Sequence, residues 1–585
     1  MTITEWFAAH PEAAAAAQRW LQESTGGTRK LVAHLQAEHG YPFRDHTSLR
    51  AWAQARWPKS SRRATLARWF NDRPIAARVA RQWAGTTASL LEVLQRQHDC
   101  PFSDLKSLRE WVRRQRRDNA PTFQRTAKDL RTIERTENLF VTSAVQEAHA
   151  CEGFLAAIER WREERQGALV VNPVNYVNPR TRGEEDHEQR ERWWDPRLEP
   201  YMLRDELRPH PDLSIMATKT QATAGNPLPA RLSGRTKHRS AVFGHPQLSM
   251  RTVPTPQSKL PKTLYSSGAI TEKWYSDTLA GDMAEFHHTI GGVIVEVRGS
   301  RFHLREVAWD GESFIDLDRR YYADRIEDAP PPEALVMGDI HAPHHVAPNV
   351  MQATFGPKGI YEQLSPRRLV LHDLADNRAV NPHEARNRLT RAAMATRQQT
   401  LVQAELYGVV EWLRGLPEFQ DIAVVYSNHD DFLTRWLERA QPEPENAELY
   451  HYLCYRMLQH HRETGQFPIA LELALREIAD LPDALRFLAP DESFRLHGVE
   501  LGMHGHWGPN GARGSARNLS YIGTRSMIGH VHSPCIWQGV YAVGLTAEYR
   551  HGYNIGPSSW LQSHGLLHAN GYRQLLHIIG EHFRG

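Results

Sequence analysis

The sequence predicts an α/β protein preceded by an all-α, basic N-terminal arm. Three observations predict it. A helical pattern repeats without gaps in residues 31–52 and 90–111. The order strand, helix, strand is written into residues 139–173. After residue 334, five apolar runs each end in an aspartate, asparagine or histidine.

The arm spans residues 1–135. "LVAHLQAEHGYPFRDHTSLRAW" aligns on "LLEVLQRQHDCPFSDLKSLREW" with Leu, His, Pro-Phe, Asp, Ser-Leu-Arg and Trp matched at one offset. Each unit reads as a helix, a Pro-Phe turn and a second helix opening near the Asp. Residues 1–135 carry 24 Lys/Arg against 13 Asp/Glu, although the whole chain is only +3. Such asymmetry is the electrostatic mark of a nucleic-acid-binding arm joined to a domain of another kind. Arg56, Arg62, Arg63, Arg113, Arg114, Arg116 and Arg117 line the outside, and all of these but Arg56 are the expected DNA contacts. The alternative is a docking surface for another protein or for self-assembly.

Residues 136–328 are expected to form an α/β accessory domain. "LFVTSA", the amphipathic "CEGFLAAIERWREER" and "ALVVNP" make a βαβ unit with a partly parallel sheet. "LSIMAT", "SAVFGH", "GGVIVEV", "FHLREVAW" and "SFIDLD" read as further strands. Arg235, Lys237, His238 and Arg239 form a charged loop that could meet phosphates. "EDAPPPEA" (327–334) is a Pro-rich hinge and the expected boundary with a third domain, 329–585.

In that third region each strand tip delivers ligands. "ALVMGDIHAPHH" ends in Asp339 and His341, "RLVLHDLADN" in Asp373 and Asp376, and "IAVVYSNHDD" in Asn428, His429 and Asp430. "VELGMHGHWG" follows with His504, and "RSMIGHVHSP" with His530 and His532. In an open α/β sheet adjacent strand ends converge on one crevice. The 32 histidines, many after residue 338, agree with metal chemistry. Four scattered cysteines lack metal-ligand spacing and are expected to be reduced thiols. No apolar run reaches the roughly 20 residues of a membrane span, and the start lacks an export pattern, so a cytoplasmic protein is expected.

Taken in order, Asp-x-His, Asp-x-x-Asp, Asn-His-Asp, His and Gly-His-x-His resemble the signature of the calcineurin-like metallophosphoesterases over about 250 residues. The resemblance implies a two-layer β-sandwich flanked by helices, with a two-metal site at the strand ends. It implies Asp339, His341 and His532 on the first ion, Asp373 bridging, and Asn428, His504 and His530 on the second. His429 would face the leaving group, oriented by Asp376. Two divalent ions about 3.5–4 Å apart need a shared carboxylate and can generate a nucleophilic hydroxide. Mixed N/O ligation favours manganese, with iron or zinc as alternatives, over magnesium.

His372 and Ser427 stand where many relatives have glycine, and Asn377 replaces a phosphate-binding arginine of the protein-phosphatase branch. Arg378 or Arg525 could substitute for that arginine, and His506 is a spare imidazole. The basic arm, with arginines in 386–399 and 510–518, looks like the nuclease branch, similar to the nuclease subunit of the bacterial SbcCD complex. The tail also looks like phage-encoded metallophosphoesterases linked to DNA transfer and host-DNA degradation, which would place it in the host cytoplasm. The expected function is a metal-dependent DNase. The alternatives are a phosphodiesterase or phosphatase for nucleotides or other small phosphoesters, and a DNA-binding assembly protein with a structural metal.

Overall fold

A computed structural model describes residues 2–23, 28–43, 45–56, 87–117, 132–176, 194–203, 205–217, 220–256, 259–382, 387–439 and 441–585, with scattered residues between 66 and 80. The chain divides into two compact units, Met1–Ala120 and Pro121–Gly585. Arg62 and Arg63 lie outside the described residues. So do the side chains of Arg56, Arg113, Arg114, Arg116 and Arg117, although the helices Ile3–Ala9, His46–Arg56 and Leu105–Arg117 are described.

In the first unit the repeat is larger than its gapless match. One core joins Trp6, Phe7, Ala13 and Ala17 to Leu31, Leu35 and Leu49. A second joins Trp69, Phe70, Ala76 and Ala80 to Leu90, Leu94 and Leu108. Phe7 stacks on Trp52 at 4.0 Å between ring centroids, and Phe70 stacks on Trp111 at 3.6 Å. Gln36 and Gln95 donate to the carbonyls of Phe43 and Phe102 at 3.0 and 2.9 Å. Asp45 and Asp104 accept from the backbone two residues on, which opens the following helix. The matched Leu, Phe, Trp, Asp and Gln are therefore spent on building each module.

The second unit is a mixed α/β assembly. A six-stranded sheet runs in the order Leu485–Phe487, Asp421–Val424, Arg368–Leu371, Ala334–Val336, Ser563–Leu567, Arg573–His577. Its first four strands are parallel and its last two antiparallel. Alternation along the strands separates two cores. Leu335, Leu369, Leu371, Ile422 and Val424 pack against the helices Pro348–Phe355, Val402–Arg414, Asp431–Arg439 and Ala470–Ile478. Ala334, Val336, Val370 and Ala423 face the other way, onto Val499, Met527, Ile536, Tyr541 and Val543 of a second sheet.

That second sheet has ten strands and crosses the boundary expected near residue 328. It runs from Arg495–Leu496 through Val499–Glu500, Arg525–Ile528, Val540–Ala542 and Cys535–Trp537. It continues into His245–Val253, Lys262–Gly268, Ser240–Phe243, Leu213–Met216 and Leu207–His210. Cys535 pairs with Arg251, Ser249 Oγ donates to the Ile536 carbonyl at 2.9 Å, and Tyr265 OH meets His577 Nε2 at 2.7 Å. The Pro-rich stretch is a bend within one unit, because strand pairing across it outweighs any local hinge tendency. The expected βαβ unit is present: Asn138–Val145 pairs parallel with Ala168–Val174 across the helix Glu152–Arg165. Gly291–Arg298 and Arg301–Ala308 complete that four-stranded sheet. Of the charged loop, Arg239 is held by Glu206 at 3.2 Å, while Lys237 and His238 line a separate cavity of about 710 Å³. Among the described residues no helix is long and apolar enough to cross a membrane.

Candidate metal centre

The strand Ala334–Val336 ends where Gly338 lets the chain run against Leu545. A Cβ at Gly338 would lie 2.6 Å from the Leu545 carbonyl carbon. Asp339 N donates to Gly544 O at 3.0 Å, and Thr546 N donates to Asp339 O at 2.8 Å. The next turn is pinned on the neighbouring strand end, with His341 N donating to Asp373 O at 2.8 Å. Four of the ligand-type residues have left-handed backbones: His341, Asp373, His530 and His532, with φ of 54°, 44°, 69° and 54°. Such conformations cost about 1–3 kcal/mol each and persist only where the surroundings impose them. Here the hydrogen bonds between strand ends impose them, so each side chain turns across the tip of its strand.

The result is a buried cluster centred on Asp373. The ligand-type atoms of Asp339, His341, Asp373 and His532 all lie within 4.8 Å of one another, a grouping that could hold a metal ion. His532 Nε2 is 3.0 Å from Asp339 Oδ2 and 3.2 Å from His341 Nε2. On the other side of Asp373, His504 Nε2 is 3.3 Å from Oδ2 and 3.2 Å from Asn428 Oδ1. The His530 ring stands 5.3 Å from that of His504, and its backbone N donates to Asp339 Oδ1 at 3.1 Å.

The donor set fits a metal. Asp339 Oδ2 and Asp373 Oδ2 are fully buried and have no aligned hydrogen-bond donor, despite the nearby imidazoles. A buried carboxylate oxygen without an aligned donor is costly, and a cation would supply that partner. Burial works against the charged forms of Asp339 and Asp373. Even so, His532 holds the first below the usual carboxylate range, and His504, His429 and His341 hold the second well below it.

His429 and Asp376 form a second layer. Asp376 Oδ1 is 3.4 Å from His429 Nδ1 and 3.3 Å from His341 Nδ1, and the Asp376 backbone carbonyl meets His429 Nδ1 at 3.1 Å and orients that ring. Burial alone would lower the His429 pKa, but Asp373 and Asp376 more than offset it and raise it to about 9. Asn377 donates to the His429 carbonyl at 2.8 Å and positions that residue. His372 packs on His504, with Nδ1 atoms 3.4 Å apart, and Ser427 Oγ accepts from Asp430 N at 3.2 Å.

An open cleft of about 830 Å³ covers the cluster; Asp373, Asn428, His429, His530 and His532 reach it, together with Arg378 and Arg513. Arg525 does not belong there, because its guanidinium is spent on the Gly571 carbonyl. Arg391, from the insert, is held by Glu443 at 2.6 Å and by the Ala379 carbonyl. His506 packs between His504 and Trp507 and lines a different, smaller cavity. Sequence reasoning missed His345, His551 and Glu405. His345 and His551 stack at 4.0 Å beside His341, and Glu405 accepts from the backbone of Arg378 and Ala379. Burial and Asp376 push Glu405 up to about 8. The crowding of histidines was the sole signal for His345 and His551, and Glu405 had none.

No family model and no solved structure matches the chain. Protein A1 of Escherichia phage T5 is 32% identical over 347 residues, which is 57% of this chain and 62% of Protein A1. This chain is similar to a phage protein. The match spans less than two thirds of Protein A1's length.

Proposed function

We propose that the centre around Asp373 is a two-metal phosphodiesterase site of the calcineurin-like type, and that its substrate is DNA. The observation that carries the reading is the convergence of six ligand-type side chains, from four other strand ends, around the buried carboxylate of Asp373. The reading is supported by two sheets that face each other across Val336 and Met527, with helices packed on the outer side of the first.

Asp339, His341 and His532 would hold one ion, Asn428, His504 and His530 a second, and Asp373 both. Manganese suits this mixed set best, with iron or zinc next. When bound, the ions would neutralise phosphate charge and lower the pKa of water toward neutrality. The chain's own residues do the rest. His429 has its Nδ1 side held by Asp376, so Nε2 is the atom that carries a proton to the departing oxygen. Arg378 and Arg513 line the cleft and attract the anionic backbone. The excess of eleven positive charges in residues 1–135 supports a polymeric substrate, since phosphate attraction along a strand rewards it.

A second reading, hydrolysis of small phosphoesters, is favoured by the modest size of the cleft. One assay separates the two: pure protein with Mn²⁺, incubated with labelled DNA and with a generic phosphodiester dye ester. DNA cleavage supports the first reading; turnover of the dye ester with intact DNA supports the second. Metal bound without either activity would leave a structural metal in a DNA-binding or assembly protein.

A further inference from the structure

The cleft lining mixes hydrogen-bonding side chains with rings that the metal site does not use. Trp560 stands edge-on to His532, with centroids 4.4 Å apart at 79°. Tyr553 lies 5.8 Å from Trp560 at 69°, and 50% of it is exposed. The loop that presents it is braced. His551 N donates to Asn554 Oδ1 at 3.1 Å, and Asn554 Nδ2 donates to the Tyr549 carbonyl at 2.7 Å. His551 Nδ1 meets the Tyr553 hydroxyl at 3.3 Å, so the polar tip is held while much of the side chain stays open. A fixed, half-open aromatic beside a phosphate-binding centre presents contact area at little entropic cost.

We infer that Tyr553 and Trp560 form a nucleobase-stacking subsite flanking the scissile phosphate, so that the substrate is a phosphodiester carrying an unpaired base. The inference rests on the phosphodiesterase reading of the metal centre and names its substrate class. With a phosphate over Asp373, the adjoining nucleoside has Trp560 next to it, because that ring touches the His532 ligand. Stacking tolerates any base, since every base has a π-face. A base inside a duplex has both faces covered and must first be extruded. The cleft, about 830 Å³, falls in the range of roughly 300–1,000 Å³ for sites that enclose a nucleotide-sized ligand rather than a double helix. A single strand, a frayed end and a free dinucleoside phosphate share this chemistry.

The test uses the full chain with Mn²⁺ and compares kcat/KM on five substrates. They are a short single strand, the same strand with abasic residues flanking the phosphate, its duplex, a dinucleoside phosphate and methyl p-nitrophenyl phosphate. The base-containing strand should be cleaved about 5–150-fold better than the abasic one. The Tyr553→Ala variant should bring that ratio toward one, chiefly through KM, and Tyr553→Phe should keep it. Trp560→Ala, checked for metal content because of its contact with His532, should act in the same direction. Equal cleavage of the two strands, an unchanged ratio in Tyr553→Ala, or preference for the duplex overturns the subsite and leaves the phosphodiesterase reading standing. Failure on all five substrates overturns that reading instead. The affinities of the base-containing and abasic strands, read by fluorescence anisotropy, then still decide whether the rings hold a base. Comparable turnover of dinucleoside and strand identifies a small nucleotide as the source of the base, and strong preference for the strand identifies a polymer.

Discussion

Replacing Gly529 with alanine tests the metal centre with one methyl group. Gly529 lies between the strand-end residue Ile528 and His530. A Cβ built there would sit 2.3 Å from Asp339 Oδ1 and 2.8 Å from His372 Cγ. Such contacts stop near 3.0 Å, so the carboxylate must retreat by about 0.7 Å. Metal–ligand distances tolerate about ±0.2 Å, which makes that displacement several times too large. His372 cannot yield instead, because it is buried against His504. Mn²⁺ affinity should fall by at least the roughly 10–100-fold typical of disturbed supporting groups. The overpacking should also cost about 1–3 kcal/mol of stability. Gly539→Ala is the control, since its Cβ would meet nothing closer than 3.8 Å. Equilibrium dialysis with metal analysis reads affinity, and thermal unfolding of the apo protein reads stability. A Gly529→Ala protein that binds Mn²⁺ like the parent would refute the placement of Asp339 as a ligand.

Other perturbations follow from the same geometry. Asp373→Ala should lose metal and activity together, whereas His429→Ala should keep its metal and lose roughly 10²–10⁴-fold in turnover; equal metal loss in both would remove His429 from the proton-donating role. Burial pushes Glu306 from 4.5 up to about 7, so the folded state keeps a proton that the unfolded chain releases. Stability should therefore fall by about 3 kcal/mol as pH rises from 4.5 through 7, and Glu306→Gln should flatten that slope in urea melts; parallel curves would sink the idea. For the arm, neutralising Arg113, Arg114, Arg116 and Arg117 in the full chain should weaken duplex DNA binding and shallow its log–log salt slope by about 0.9 per lost phosphate contact. A chain starting at Pro121 should show a larger effect; the cut lies there rather than at Thr136 because Ile133 packs into the core between the two sheets. Identical slopes for all three proteins would make the repeats a protein-docking or self-assembly surface.

The centre was legible because its signal is local. Each apolar run and the ligand at its tip sit within about ten residues, so Asp339, Asp373, Asn428, His504 and His530 announce themselves one strand at a time. Non-local facts were not legible. Nothing within residues 245–253 says that their partner strand lies at 535–537, since hydrophobic alternation specifies a face and not a neighbour. The full extent of the arm repeat was hidden by a change of offset between its first and later helices. Trp6-Phe7 matches Trp69-Phe70 at a spacing four residues longer than Leu31 matches Leu90. Arg525 is uninformative in sequence because a guanidinium satisfies itself as readily on a carbonyl, here that of Gly571, as on a phosphate.

The shared ten-stranded sheet also sets a timetable for synthesis. Ser249 and Ile536, joined side by side in the finished sheet, are 287 positions apart. At about 5–20 residues per second, strand 245–253 leaves the ribosome roughly 15–60 s before the strand that covers its free edge. During that interval one row of its backbone donors and acceptors is open to any other extended chain. A nascent polypeptide stopped anywhere before residue 535 keeps that exposed row permanently. Truncated products should therefore be selectively aggregated or degraded, and the strand ends of the candidate metal centre should never accumulate on an unfinished frame.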